Sequence, residues 1–312
     1  MRKVALDLLE YARGSRNFGP AEARPDDAWL YPIDLEFTLA DAARYYSPRD
    51  PSGLPIKRYR SVGDQYNPTR VAAFGLSHWN RLHGRGDEAS REPFLRVASW
   101  FHDTAEAGRW VYRFDLHTMR APWISCMAQG EGISVLTRAA RLTGDERLIA
   151  VARAALAPFR DGTADGGVRS HLPAGGVFFE EFTSLEPDHV LNGYLYALIG
   201  LLDLNRLAPT EELDDVLGGA REVLERNLHL WDADGWSLYD LHNLAGGGRR
   251  NLCTAAYHRL HATQLGYLGD ALASSTIRRQ AETWARTGGS LAKRLKAASG
   301  KIGYRLRYPP QR

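Results

Sequence analysis

The sequence predicts a mainly α-helical domain of the incomplete α/α-toroid type. Apolar residues recur at helical spacing in eight segments, near 69–83, 88–106, 127–143, 145–159, 187–206, 211–228, 252–268 and 270–286. These segments form four successive pairs, and turn signals such as Thr143-Gly144-Asp145 separate the members of a pair. Short β-branched or aromatic pieces at 110–114, 176–179 and 235–239 predict small strands inserted between the pairs on one face.

The pattern divides the chain into three parts around one core. Residues 1–67 predict a short amphipathic helix and an irregular arm, rich in proline and aromatic residues, that lies across the helices. Residues 68–290 form the predicted catalytic toroid. Residues 291–312 are a basic tail, which predicts a solvated helix with a frayed end, with contact to an anionic polymer as the alternative.

The composition is that of a soluble globular protein, with 44% hydrophobic and 25% charged residues. The formal net charge is only +3, and we predict no nucleic-acid partner. Nearly all positive charge is arginine, because lysine occurs only at Lys3, Lys57, Lys293, Lys296 and Lys301. The guanidinium fork suits carboxylates and sulfates, although a genome that favours arginine codons explains the bias equally well.

Targeting and cysteine signals predict a cytoplasmic protein. The amino-terminal stretch has no apolar signal region, and no run reaches the roughly 20 apolar residues that span a bilayer. Cys126 and Cys253 are the only cysteines, which fits a reducing compartment and leaves a single disulfide open.

Neither a metal nor a nucleotide cofactor is predicted. His258 and His261 have no third ligand at motif spacing. The glycines at Gly130–Gly132 and Gly246–Gly248 lack the strand and helix context of a phosphate-binding loop.

Three blocks, at 178–182, 235–242 and 251–265, bring acids, bases and phenols together. In an extended chain Glu180 and Glu181 point to opposite faces, so one of them can face a cleft. Aromatic surroundings would raise the pKa of that carboxyl and make it a general acid or base near neutrality. Tyr257, His261 and Gln264 form one helical stripe that is polar where a core stripe would be apolar, which favours cleft lining.

The remaining candidates are polar residues at predicted helix starts and in the arm. Capping or turn formation is the alternative for Gln129 and Asn192, and packing is the alternative for Tyr239. The candidate substrate-binding residues are Glu180, Phe182, Gln129, Asn192, Tyr196, His242, His258, His261, Gln264, Tyr66 and Asn67, and further candidates are Glu131 and Tyr194.

Five sequence blocks together resemble the carboxy-terminal end of heparosan D-glucuronyl C5-epimerases. They are MAQGEGISVLTRA, FFEEF, VLNGYLYALIGLLDL, WSLYDL and AAYHRLHATQL, in the family's order, within a resemblance that runs from about residue 31 to 268. The resemblance implies that Glu181, Tyr239 and Tyr257 are catalytic, and it makes a homodimer plausible. Phe182 departs from the family pattern, which has a tyrosine there, and phenylalanine cannot exchange a proton.

The predicted activity is therefore C5 epimerisation of glucuronate to iduronate residues in a glycan or glucuronide, without a cofactor. Removing a proton next to a carboxylate requires two proton carriers and stabilisation of the developing enediolate charge. Two alternatives stay open at this point. A uronate lyase would share the first step and then expel the C4 substituent, and a non-catalytic homologue would only bind the glycan.

Overall fold

The computed structural model describes residues 11–22, 27–116, 118–242 and 248–308. The helices are α1 (Glu36–Ala40), α2 (Ala42–Tyr46), α3 (Pro68–Trp79), α4 (Arg91–Asp103), α5 (Cys126–Thr143), α6 (Glu146–Ala154), α7 (Ala157–Arg160), α8 (Leu191–Leu207), α9 (Glu211–Asn227), α10 (Ala255–Ala271), α11 (Ser275–Gly289) and α12 (Leu291–Arg307). A π-helical turn, Asn80–Gly84, continues α3. The antiparallel strand pairs are β1 (Lys57–Tyr59) with β2 (Gly63–Gln65), β3 (Arg169–His171) with β4 (Val177–Phe179), and β5 (Asp232–Ala233) with β6 (Trp236–Ser237).

The predicted helix pairs and the α/α-toroid architecture are confirmed. Helices α3, α5, α8 and α10 pack side by side in chain order and form the inner layer. Each is followed by its outer partner, α4, α6, α9 or α11, against which it packs. The inner helices α5 and α8 are buried around most of their circumference, which explains why apolar residues occur on all of their faces.

The two central inner helices touch backbone to backbone. A Cβ atom on Gly130 of α5 would lie 2.4 Å from the Cα of Ala197, and one on Gly200 of α8 would lie 2.0 Å from the carbonyl oxygen of Gly130. Only glycine permits such an approach. Gly130 therefore serves helix packing.

A buried ion pair joins the same two helices below this contact. Arg138 of α5 and Asp203 of α8 are both fully buried, with Nη1 2.5 Å from Oδ2. Ser134 donates a hydrogen bond to the same carboxylate at 2.6 Å, and Arg138 also donates to the carbonyl of Trp29 in the arm. Because each charge is paired and hydrogen-bonded, the desolvation cost is offset and the pair fixes the arm to the helices.

The amino-terminal arm runs between the first and last inner helices. On one side, Trp79 of α3 donates its indole N–H to the carbonyl of Trp29 at 2.8 Å. On the other, Thr263 of α10 donates to the carbonyl of Phe18 at 2.9 Å. The arm thus lies across the open side of the toroid, as its proline-rich sequence led us to expect.

Two local expectations from the sequence were wrong. Residues 110–114 form no strand beyond an isolated bridge between Tyr112 and Trp123, because the N–H of Trp110 is bonded to the Gln129 side chain instead. The basic tail is not a purely solvated helix, since α12 buries Ala297 and Ala298 against Tyr11 and Trp236. No helix within the described ranges is long and apolar enough to cross a membrane.

The close helix contact gives the first prediction. Gly200→Ala should destabilise the protein by about 3 kcal/mol, because its methyl group would overlap the Gly130 carbonyl and force α5 and α8 apart. The control is Gly218→Ala on α9, where nothing lies within 4 Å, and it should stabilise by about 0.5–1 kcal/mol. Urea unfolding monitored by circular dichroism measures both. Equal effects of the two substitutions would contradict the packing role.

Candidate functional site

A cavity of about 810 Å³ opens where the four inner helices begin. The first turns of α3, α5, α8 and α10 each contribute side chains to its wall, and the β1–β2 hairpin and segments 112–116 and 118–123 form the rim. The lining includes Phe18, Tyr46, Lys57, Arg58, Tyr59, Arg60, Asn67, Arg70, Tyr112, Trp123, Ser125, Met127, Glu131, Glu181, Phe182, Asn192, Tyr196, Tyr239 and Tyr257. Helix starts carry partial positive charge, and four of them lie at the wall of this cavity.

Backbone hydrogen bonds at two of these helix starts position the predicted catalytic segments. The carbonyl of Glu180 accepts the N–H of Cys126 at the start of α5, at 3.0 Å. The carbonyl of Tyr239 accepts the N–H of Leu191 at the start of α8, at 3.1 Å. The first N–H groups of a helix have no partner within it, so these loops satisfy them and are held in place.

Glu181 faces the cavity and Glu180 faces the protein interior. The Glu180 carboxylate accepts hydrogen bonds from Ser170 Oγ at 2.5 Å and the His189 N–H at 3.0 Å. Glu181 lies over Gly193 of α8, where an added Cβ would come within 2.6 Å of the Glu181 Cβ. Burial raises the pKa of Glu181 to about 8, while the Nδ2 of Asn192, which donates to Oε2 at 3.2 Å, lowers it. A carboxyl with such a pKa is suited to proton exchange near neutral pH.

The two predicted catalytic tyrosines both line the cavity and contact each other. The rings of Tyr239 and Tyr257 lie edge to face with centroids 5.5 Å apart. Burial raises the pKa of both phenols, and the charge of Glu181 raises it further. Both hydroxyls are therefore protonated near neutral pH. Both are also close enough to Glu181 for its charge to raise their pKa values.

Four of the predicted substrate-binding residues also line the cavity. Phe182 packs against an aromatic cluster of the rim loop, while Asn192 and Tyr196 extend from α8. Asn67 caps α3 by accepting the N–H of Arg70 at 3.1 Å, and its amide donates to Tyr59 Oη at 2.8 Å. Capping and cavity lining thus coexist at Asn67.

The other predicted binding residues do not reach the cavity. The amide of Gln129 is bonded to the backbone of Gly108 and Trp110. His242 pairs with Asp188, and the hydroxyl of Tyr66 donates to Asp50. Glu180, as described above, is turned inward.

The polar stripe expected on α10 lines the cleft only at Tyr257. His258 is buried between Ser237 and the carbonyl of Trp284, and burial lowers its pKa to about 4. His261 and Gln264 are fully buried between α10 and its neighbours, and burial lowers the pKa of His261 to about 3. Helical spacing places residues on one face but does not say whether that face meets solvent or another helix.

Sequence reasoning missed the basic lining of the cavity. Arg70, in the first turn of α3, has a buried Nε that no described residue bonds, and its Nη2 donates to the carbonyl of Ser47 at 3.1 Å. Lys57, Arg58 and Arg60 come from the β1–β2 hairpin. The basic run KRYR at residues 57–60 is visible in the sequence. Only the fold, however, brings this hairpin next to α3.

No metal site is found in the part of the chain that the structure describes, where no group of three His, Cys, Asp or Glu side chains could hold an ion. Cys126 and Cys253 are free and buried, so the disulfide that the sequence left open does not form.

The family model for the D-glucuronyl C5-epimerase C-terminus matches residues 103–286, more than half of the chain. The chain belongs to this family. The match includes the segments that carry Glu181, Tyr239 and Tyr257 and ends within the last turn of α11.

Curated relatives of this family member align over about half of the chain. The D-glucuronyl C5-epimerase of Caenorhabditis elegans is 34% identical over 174 residues, which cover 52% of this chain and 28% of the worm protein. An uncharacterized protein of Methanocaldococcus jannaschii is 29% identical over 164 residues, or 51% of each chain. The aligned part of the chain thus spans about a quarter of the worm protein and about half of the Methanocaldococcus jannaschii protein.

Solved structures share the fold at low sequence identity. The cellobiose 2-epimerase of Spirochaeta thermophila superposes with a TM-score of 0.55 at 13% identity, over 97% of this chain and 96% of that one. A polysaccharide lyase gives a TM-score of 0.52 at 11% identity, over 89% and 86% of the two chains. Both likenesses concern the helical toroid alone.

Asn192 offers a direct test of how the site sets the pKa of Glu181. Asn192→Leu should raise that pKa further, because the hydrogen bond that stabilises the ionised carboxylate is lost while burial remains. Carbon-13 NMR titration of labelled glutamate side chains, assigned with Glu181→Gln, follows the midpoint. Asn205→Ala, at the far end of the same helix, is the control and should leave it unchanged. A lower midpoint in Asn192→Leu would contradict this electrostatic description.

Proposed function

We propose that the protein inverts C5 of glucuronate residues in a glycan by removing the C5 proton and returning a proton on the opposite face. The observation that carries the proposal is the convergence of Glu181, Tyr239 and Tyr257 on one cavity at the helix starts. Its volume of about 810 Å³ suits a short stretch of sugar residues. Membership of the D-glucuronyl C5-epimerase C-terminal family supports the same reaction.

The protonation states suggest which residue removes the C5 proton and which residues can return one. With a pKa of about 8, Glu181 has an ionised fraction near neutrality and serves as the base that takes the C5 proton. The electron pair of the C–H bond moves into the uronate carboxylate and forms an enediolate. A phenol of Tyr239 or Tyr257, protonated because its pKa is raised, then returns a proton to C5 from the other face.

The uronate carboxylate needs a positive environment before its neighbouring proton can be removed. Arg70 offers a half-buried guanidinium whose Nε has no hydrogen-bond partner among the described residues. The partial positive charges of the helix starts add to this field. Such groups stabilise the negative charge of the enediolate without a metal ion.

The rim favours an anionic chain as substrate. Lys57, Arg58 and Arg60 extend the basic surface along the hairpin beyond the cavity, where carboxylates or sulfates of neighbouring sugars would lie. Phe182 presents an aromatic surface to the cavity in place of the family's tyrosine hydroxyl. Two phenols and one carboxyl still supply the two proton carriers that the reaction requires.

The decisive experiment is incubation with glucuronate-containing polymers and oligosaccharides in deuterated water, followed by NMR, mass spectrometry and ultraviolet absorbance. We expect deuterium at C5 and the appearance of iduronate. Glu181→Gln should reduce exchange by at least about 100-fold, because an amide cannot accept the proton. Tyr239→Phe and Tyr257→Phe report which phenol returns it.

The matched control is Tyr66→Phe, which removes a hydroxyl outside the cavity and should leave exchange unchanged. An unsaturated uronate without iduronate would show a lyase instead. Binding of the glycan without exchange in any of the substrates would show that the protein only binds it.

Arg70 should control recognition of the uronate carboxylate. Arg70→Gln should lower kcat/KM about 10- to 100-fold, the equivalent of one charge-assisted hydrogen bond of roughly 1.5–3 kcal/mol. Initial rates of deuterium exchange at several substrate concentrations measure the change. Arg153→Gln, an exposed arginine on α6, is the charge-matched control. Equal kcat/KM values in the two variants would remove Arg70 from the binding site.

A further inference from the structure

Glu131 is a carboxyl group on the floor of the cavity that the mechanism above does not use. It lies on α5 one turn after Met127, which also lines the cavity, and its side chain is only 1% exposed. Its Oε2 is buried and has no hydrogen-bond partner among the described residues. Because Glu131 itself lines the cavity, this unpaired carboxyl lies beside the space that a ligand would occupy.

Within the described part of the chain, the groups whose charges are seen to act on Glu131 are an acid and several phenols, while the cations of the cavity lie among its other lining residues. The ionisable groups that interact with it are Glu181 before α8, Tyr196 on α8, Tyr31 in the arm, Tyr46 on α2 and Tyr112 in the rim loop. The nearest arginine on its own helix, Arg138, is committed to Asp203 and to the backbone carbonyls of Ser134 and Trp29.

Ionised Glu131 would be unfavourable at this buried position. A buried charge without a partner costs several kcal/mol, so the group binds a proton instead. Burial, and then the charge of Glu181, raise the pKa of Glu131 well above its ordinary value. The result is a neutral carboxylic acid, which is a hydrogen-bond donor through its O–H.

We propose that Glu131 is a protonated donor that binds the carboxylate of the uronate and the enediolate formed from it. The proton stays on Glu131, and its O–H hydrogen bond strengthens as negative charge develops on the substrate oxygens. This assignment rests on the proposed function, since it takes the uronate as the ligand of the cavity. Glu131 would thus supply a hydrogen-bond donor from a rigid helix, whereas Phe182 has no group that can donate.

The protonation state can be tested without any activity. Infrared spectra of Glu181→Gln at pH 9 should contain the carbonyl band of a buried protonated carboxylic acid, and this band should vanish in Glu181→Gln/Glu131→Gln. The Glu181→Gln background removes one further carboxyl with a raised pKa, and Asp240, whose pKa burial raises to about 6, is ionised at this pH. Asp188, whose pKa burial also raises, is present in both variants and cancels when their spectra are compared. The control is addition of Glu282→Gln, an exposed glutamate of α11, which should leave the band intact. No difference between the first two spectra would overturn the assignment.

The donor role is then tested by C5 deuterium exchange. Glu131→Leu keeps the volume but has no donor, and kcat should fall about 100- to 1000-fold, as when one oxyanion donor is removed, with a smaller change in KM. Glu131→Gln retains an N–H donor and should keep far more activity than Glu131→Leu. Thermal unfolding and near-ultraviolet circular dichroism verify that both variants fold.

The outcomes separate the two proposals. Wild-type exchange that Glu131→Leu does not slow would overturn the donor role while leaving the epimerase intact. Loss of exchange in Glu131→Gln equal to that in Glu131→Leu would also overturn it, because a group that only donates a hydrogen bond is replaced by an amide. If the wild type exchanges no uronate, the proposed function fails, and the infrared band alone decides whether Glu131 is protonated.

Discussion

The backbone contact between α5 and α8 is the constraint on which the rest of the structure depends. Gly130 and Gly200 let the two helices approach to a distance that any side chain would prevent. The buried pair of Arg138 and Asp203 fixes their register and holds the arm at the same time. Because these contacts fix α5 against α8, the first turns of the two helices lie side by side. The loops that precede the helices therefore end at the same cavity.

That place combines two opposing electrostatic influences. The helix starts and Arg70 favour a negative charge in the cavity. Burial and the mutual proximity of Glu181, Glu131 and the phenols disfavour charge on the protein's own acids and raise their pKa values. The cavity therefore combines acids whose pKa values are raised with cationic side chains and helix starts. Such a site is suited to a substrate that brings its own carboxylate and develops further negative charge during reaction.

Membership of the D-glucuronyl C5-epimerase C-terminal family agrees with this chemistry, and the chain retains two of the three phenols that the resemblance implied. Phe182 is accommodated because it packs with the aromatic cluster of Tyr112, Phe114 and Trp123 on the rim. A hydroxyl there would be exposed to the cavity rather than required by the packing. The substitution thus changes the chemistry of the wall without disturbing the fold.

The sequence alone determined the helix pairs and pointed to the residues that we propose for proton transfer. Helical periodicity over 18 residues of α5, or 17 of α8, is a strong local signal, and the strand alternation at Glu180 and Glu181 already assigns them opposite faces. The blocks around Glu181, Tyr239 and Tyr257 identified a family because they are long and contiguous.

The tertiary structure alone decided which polar residues meet the cavity. His261 and Gln264 share a helix face with Tyr257, yet α10 is covered by its neighbours beyond its first turn, so they are buried. Arg70 lies in the first turn of α3, and the fold places the hairpin cations at the same cavity. Burial, and with it the protonation state of Glu131, depends on distances between segments far apart in the chain, and no local pattern encodes those distances.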